Sequence, residues 1–315
     1  MQMRKIPVGL ICKDSIAPEI AICIASITDF ELIGYSGTSN KELFTEYSWP
    51  YFEDLDNLID RTEAILLIVP AESQFELAKR ALKKSKHIFI EEPLTTNIEK
   101  AEILLSMQRE ADVKVQVGSG MRLNPSVIET NVFKLKPLYI ETQYLTEKES
   151  ELSVVLDLML RDIDFVLHLI KSEVRKISAN SVSLSGVTSD VVNARIEFGN
   201  GGVASLTVNR NAKKEIHTAS IFENGNAVVL DFNASIMENV PQSAYNLAIT
   251  KQVEENSNKS TLIGHRAEAL KVELQSFFNC IIENKNPLVP LSDACRALKL
   301  AYQILDKIEE RRMEN

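Results

Sequence analysis

Cysteine is scarce in this chain and carries no pattern. Cys12, Cys23, Cys280 and Cys295 form no Cys-x-x-Cys pair and show no cysteine–histidine metal spacing. They read as buried thiols of a reducing cytoplasm, with no metal site. Long apolar runs are missing too. Ala64 to Pro70 is far too short to cross a bilayer, so no membrane span is expected. Met1-Gln2-Met3-Arg4-Lys5 leads straight into a strand-like run, without the apolar core of a signal peptide. Positive charge is not in excess. A formal net charge of −9 gives no electrostatic footprint for nucleic acid or an anionic membrane.

What remains is an ordinary soluble composition, 45% hydrophobic and 25% charged, in 315 residues. That length suggests two domains with substantial cores. In the first half, strand and helix patterns alternate. Ile6 to Cys12, Phe30 to Tyr35, Ala64 to Val69, His87 to Glu91 and Val113 to Val117 read as strands. Continuous apolar runs of this kind suit parallel strands covered on both faces. Helical stretches over Ile16 to Ile27, Phe52 to Leu58, Phe75 to Lys84 and Ile98 to Ala111 separate them. Repeated β-α units predict a doubly wound parallel sheet.

The second half reads differently. Ser153 to Ile170 has the pattern of one long helix. Period-two alternation then marks strands over Lys176 to Leu184, Val191 to Phe198, Val203 to Asn209, Ile216 to Glu223 and Ala227 to Asp231. Asn200-Gly201-Gly202 and Glu223-Asn224-Gly225-Asn226 are hairpin signals. Polar Gln252 to Ser260 reads as a loop, before helices over Leu270 to Glu283 and Asp293 to Arg311. The expectation is an α/β chain: an N-terminal Rossmann-type domain over 1–123, then an α+β domain over 124–315 with a largely antiparallel open sheet. The break is placed at Leu123-Asn124-Pro125, with the last helices able to pack back across it.

Several local stretches, in this order, resemble the Gfo/Idh/MocA family of sugar and cyclitol dehydrogenases. Val8-Gly9-Leu10-Ile11 stands where that family's first strand enters its glycine loop. Glu91-Glu92-Pro93-Leu94 stands at its Glu-Lys-Pro motif. Val115-Gln116-Val117-Gly118 with Arg122-Leu123-Asn124-Pro125 looks like the strand that follows. Val154 to Asp164 looks like the helix carrying the family's Asp, His and Asp residues, and Asn193 to Phe198 with Gly201-Gly202 resembles its first sheet hairpin. The resemblance implies NAD(P)-dependent hydride transfer at a hydroxyl-bearing carbon of a sugar, nucleotide sugar or cyclitol. It also implies oligomerisation through the open sheet.

Residue by residue, the chemistry departs from that pattern. The cofactor positions carried over are Cys12, Asp14, Ala17, Gly37, Pro70 and Gln74. Dinucleotide loops use glycine to make the turn, approach the pyrophosphate and pack the helix. Ala17 is an accepted variant, whereas Cys12 adds a side chain and Asp14 adds a carboxylate beside the expected pyrophosphate. Two like charges about 4 Å apart cost roughly 4 kcal/mol at an effective dielectric near 20, or nearly three decades of affinity at about 1.4 kcal/mol each. The alternative for Asp14 and Ser15 is helix N-capping. At the end of the second strand, Ser36 or Gly37 replaces the acid that reads the ribose. Gln74 holds a histidine position and cannot titrate. NAD(P) binding is therefore expected to be weak or absent.

The catalytic positions are Glu92, where the family has lysine, Arg161, where it has histidine, and Asp157. A guanidinium cannot take an alcohol's proton. Glu92 and Arg161 could form a reciprocal ion pair, or each could have another partner. Asp157, Arg161 and Asp164 share a helical face, which suits either a structural ladder or an Arg161 that binds a ligand anion. Arg122, Asp164 and His168 are candidate substrate contacts. His87 reads as structural, while His217 and His265 have no motif around them. Two functions stay open. One is a binding or assembly protein with impaired chemistry, taking a sugar ligand or partnering itself or an active homologue. The other is an active oxidoreductase using altered residues.

Overall fold

The computed structural model describes residues 5–13, 18–38, 44, 48–124, 127–128, 132–184, 189–233, 236–241 and 259–314. The chain divides into two units, Met1–Gly120 with Arg266–Cys295 and Met121–His265 with Arg296–Asn315. Among the described residues no helix is long and apolar enough to cross a membrane.

In the first unit, β1 (Ile6–Cys12), β2 (Phe30–Ser36), β3 (Ala64–Ile68), β4 (His87–Ile90) and β5 (Val115–Val117) form a parallel sheet in the order β2-β1-β3-β4-β5. Helices α1 (Pro18–Ala25), α2 (Leu55–Asp60), α3 (Ala71–Lys83) and α4 (Ile98–Ala111) make the crossovers. Strands β1 and β3 are apolar throughout because both sheet faces are covered there: every residue of β3 is buried. Side-chain caps start two of these helices, Asp54 accepting from the Asp56 amide and Asn97 from the Lys100 amide, each at 2.9 Å. Beside β2, Tyr51 makes a single parallel bridge to Tyr35. That bridge occupies the place of the third strand in the 3-2-1-4-5-6 order of dinucleotide-binding sheets. Gly34 is needed there, since a Cβ would lie 2.4 Å from the Phe52 ring and 2.5 Å from the Pro50 carbonyl oxygen.

Helix α6 (Lys259–Ile282) explains why the chain does not divide by a single cut at 123/124. Leu270, Leu274, Phe277, Phe278 and Cys280 enter the core formed by Leu10, Leu66 and Phe89. Burying a side chain of this size stabilises by roughly 1.5–3 kcal/mol, so Arg266–Cys295 returns to the first unit.

In the second unit, β6 (Tyr139–Glu147), β7 (Val174–Val182), β8 (Val191–Phe198), β9 (Val203–Asn209), β10 (Asn211–Glu223), β11 (Asn226–Asp231) and β12 (Ile236–Pro241) form a sheet in the order β12-β11-β10-β6-β9-β8-β7. Only the β6–β9 pair is parallel. Both expected hairpins are present. Gly201 joins β8 to β9 and Gly225 joins β10 to β11, each with positive φ. The central strands β6 and β9 alternate buried and more exposed residues, which leaves one face open. α5 (Leu160–Leu169) lies on the covered face, and α7 (Leu291–Glu314) reaches α5 through Arg296, which donates to the Leu167 carbonyl at 3.1 Å.

Three elements differ from the sequence reading. β6 and β12 are additional strands, and Ser153 to Ile170 is not one α-helix. A π-helical turn at Val155–Met159 precedes α5. Its wider winding changes the facing of Asp157 relative to Arg161 and Asp164.

Candidate functional site

The first unit gathers its candidate residues at the C-terminal ends of the strands, where ligands of open α/β sheets bind. Cys12 ends β1 with its side chain fully buried in the core. Gly37 follows β2 with φ +92°, and a Cβ on it would come 2.8 Å from the Cys12 carbonyl oxygen. Ser36 is buried and donates its hydroxyl to the Phe52 carbonyl at 2.8 Å, and Thr38 is buried beside it. Among the described residues this strand end carries no carboxylate, and its serine proton is already engaged. Asp14 and Ala17 lie outside the described residues.

Gln74 ties two strand ends together. Its Nε2 donates to the Val69 carbonyl at 2.9 Å and to the Glu91 carbonyl at 2.8 Å, joining the ends of β3 and β4 from the first turn of α3. Pro70, exposed, starts that helix. Both Nε2 hydrogens are used, so Gln74 Oε1 is a buried acceptor without a protein donor. Glu92 is half-buried immediately after β4, and the Glu92–Pro93 peptide is cis. Beside it stands a residue that no motif indicated. The buried Glu273 of α6 brings Oε2 to 3.0 Å from where a Gly118 Cβ would be, while Gln116 holds the Glu273 backbone carbonyl at 2.8 Å.

In the second unit, the candidates divide into two clusters. Asp157, on the π-helical turn, accepts from Lys148 Nζ at 2.7 Å. Arg210 positions the approach to that turn by donating to the Ser150 and Leu152 carbonyls at 2.8 and 2.7 Å. Arg161, one turn further on, lies within electrostatic reach of Tyr144. The second cluster joins Arg122, Asp164 and His168. The buried Arg122 bonds Asp164 through Nη2 and His168 Nδ1 through Nη1, the latter at 3.0 Å. Guanidinium only donates, so this Nδ1 accepts and the His168 ring proton belongs on Nε2. Asp157 and Asp164 thus each have a cationic partner from elsewhere in the unit.

His87 and His217 are likewise engaged. His87 Nδ1 accepts from the Lys114 amide at 2.9 Å, and burial pushes its pKa down. His217 Nε2 lies 2.8 Å from Asp162 Oδ1. The side chain of His265 lies outside the described residues. Burial raises the Tyr144 phenol, with Arg161 opposing that shift.

Residues 24–119 match the family model "Oxidoreductase family, NAD-binding Rossmann fold", the Gfo/Idh/MocA model. The chain is 23% identical over 274 residues to UDP-N-acetylglucosamine 3-dehydrogenase of Acidithiobacillus ferrooxidans, covering 85% of this chain and 86% of that protein. A solved structure of that enzyme superposes with a TM-score of 0.80 at 21% identity, covering 98% and 99% of the two chains. Scyllo-inositol dehydrogenase from Lactobacillus casei, solved with NAD(H) and scyllo-inositol, superposes with a TM-score of 0.73 at 17% identity over 98% of each chain. Over residues 24–119 the chain matches the Gfo/Idh/MocA model, and over its whole length it shares the fold of these dehydrogenases. At low identity the structural matches speak for the shared fold alone.

Proposed function

We propose that this protein is a sugar-ligand-binding member of its family in which NAD(P)-dependent hydride transfer is impaired or lost, and that it acts as a binding or assembly protein in the cytoplasm. Oxidising a secondary alcohol needs a group that takes the hydroxyl proton while hydride leaves. The observation that carries the reading is how the histidines are used. Arg161 replaces the expected base, and His87, His168 and His217 are engaged by Lys114, Arg122 and Asp162. The Ser36 hydroxyl bond to Phe52 supports weak cofactor binding. The ligand class is argued from the relative that acts on UDP-N-acetylglucosamine. The open sheet face suits self-association or pairing with an active homologue.

The alternative is an active oxidoreductase with a relocated proton acceptor. The Lys148–Asp157 pair favours it, because an ammonium at 2.7 Å holds that carboxylate in place on the helix where the family places its chemistry. Thermal shift with millimolar NAD(H) and NADP(H) separates the two readings. Ligand at about 100 times Kd adds roughly 2.7 kcal/mol of stability. No shift, together with no NADH from UDP-N-acetylglucosamine and NAD, is expected. A clear rise in melting temperature with either cofactor overturns the proposal.

A further inference from the structure

Tyr144 breaks the cover of the sheet in the second unit. On the same face of β6, its neighbours Ile140, Thr142 and Thr146 are buried, as are Ala204, Leu206 and Val208 on adjacent β9. Tyr144, paired in register with Val208, is only half-buried. The helical layer therefore opens at this phenol. Arg161 and Asp157, both half-buried, lie within electrostatic reach of it, as does the exposed Glu215.

The ring is backed by a rigid support. Tyr144 and His217 are directly opposite across the β6–β10 pair, and their rings stack at 4.2 Å with 10° between planes. His217 is fixed in turn by Asp162, whose side chain is fully buried. Phe232 closes a further side of the imidazole at 4.9 Å. A fully buried carboxylate is costly unless a cation or several donors meet it. Asp162 Oδ1 meets the His217 ring at 2.8 Å, while Oδ2 is buried without a protein donor. An imidazole lying flat on a phenol ring covers one of its faces and holds that ring in place.

We propose that Tyr144, positioned by the Asp162–His217 pair, is the floor of a ligand site that takes a hydroxyl-rich ring such as a hexopyranose. An aromatic floor matches the apolar C–H face of such a ring, while Arg161 and Asp157 match its hydroxyl groups as donor and acceptor. The inference rests on the sugar-ligand reading above and assigns its contact residue in the second unit. Asp162 and His217 are positioning residues that act through the tyrosine.

The test is calorimetric titration of the full chain with UDP-N-acetylglucosamine and with N-acetylglucosamine. Melting temperatures establish that each variant is folded. Tyr144→Ala is expected to weaken binding by about tenfold or more, whereas Tyr144→Phe, which keeps the ring, stays within about threefold of the parent. A tyrosine difference spectrum accompanies ligand binding in the parent and is lost in Tyr144→Phe despite retained binding. His217→Ala weakens binding while Tyr144 remains. Parent-like affinity in Tyr144→Ala, or an unchanged difference spectrum in Tyr144→Phe, overturns this inference and leaves the sugar-ligand reading standing. Failure of the parent to bind either sugar overturns both.

Discussion

Gln74 is tied to Glu91 across two strand ends, its Nε2 donating to the Glu91 carbonyl at 2.8 Å and to the Val69 carbonyl at 2.9 Å. This one amide joins the residue before Pro70 to the residue before Glu92. The Val69-Pro70 turn and the Glu91-Glu92-Pro93 turn are therefore braced by one side chain.

Replacing Gln74 by alanine should lower stability by about 1–3 kcal/mol, since two buried carbonyls lose their donor. The family-like Gln74→His should not restore it. An imidazole nitrogen has one hydrogen to give and cannot serve both carbonyls. Urea denaturation of the two variants checks this; a Gln74→His protein as stable as the parent would show that the double bond is dispensable.

Arg122 and Asp164 form an ion pair with both side chains buried. Arg122→Ala leaves Asp164 charged without its guanidinium, and breaking such a pair costs about 3–5 kcal/mol. Arg122→Met should be milder if Asp164→Leu accompanies it, because an apolar pair needs no compensation. Denaturation midpoints of the single and double variants measure the difference.

Much of this was readable from residues, for reasons that also set the limit. Strands β8 and β9 alternate cleanly between buried and open faces, so Val191–Phe198 and Val203–Asn209 have the expected bounds. The π-helical turn was not readable: Val155-Leu156-Asp157-Leu158-Met159 is too uniformly apolar, over too few residues, to separate one helical winding from another. Strand β6 carries Glu141, Gln143 and Glu147 on its open side but also Thr142 and Thr146 on its covered side, which weakens its apolar alternation. With β6 missed, the register that sets Tyr144 opposite His217 had no source. Arg122 and His168, 46 residues apart, meet only once the second unit has folded.

His87 predicts an acid-side loss of stability. Burial holds its folded pKa below the ordinary 6.5, with Glu63 opposing and Lys114 adding to the shift. A depressed histidine pKa contributes stability in full above pH 6.5, and the contribution disappears as pH falls through the lowered folded value. Protonated Nδ1 could no longer accept from the Lys114 amide. His87→Gln should flatten the stability profile below about pH 6.5, as measured by urea midpoints from pH 5 to 8; an unchanged slope would place the acid sensitivity elsewhere.

Cys23 and Cys280 act at the other end of the scale. Burial raises both thiols from 9.0 to about 11; Lys271 and Lys114 respectively lower them, and Glu273 adds a further rise at Cys23. At pH 8 a thiol of pKa near 11 is thiolate about once in a thousand molecules, so both should resist alkylation in the folded chain. The linkage has the opposite sign to that of His87. Protons are held more tightly in the folded state, so this contribution is complete below pH 9, falls between pH 9 and about 11, and is gone above that window. Two units at each thiol correspond to roughly 2–3 kcal/mol. Replacing Cys280 by serine removes one of the two contributions, and the alkaline fall in urea midpoint should become shallower than in the parent. Cys280 also packs in the core with Phe277 and Phe278, so serine will lower the midpoint at neutral pH as well. The comparison therefore rests on the change between pH 8 and pH 11. An equal fall in parent and variant would mean that this thiol does not hold its proton more tightly when folded.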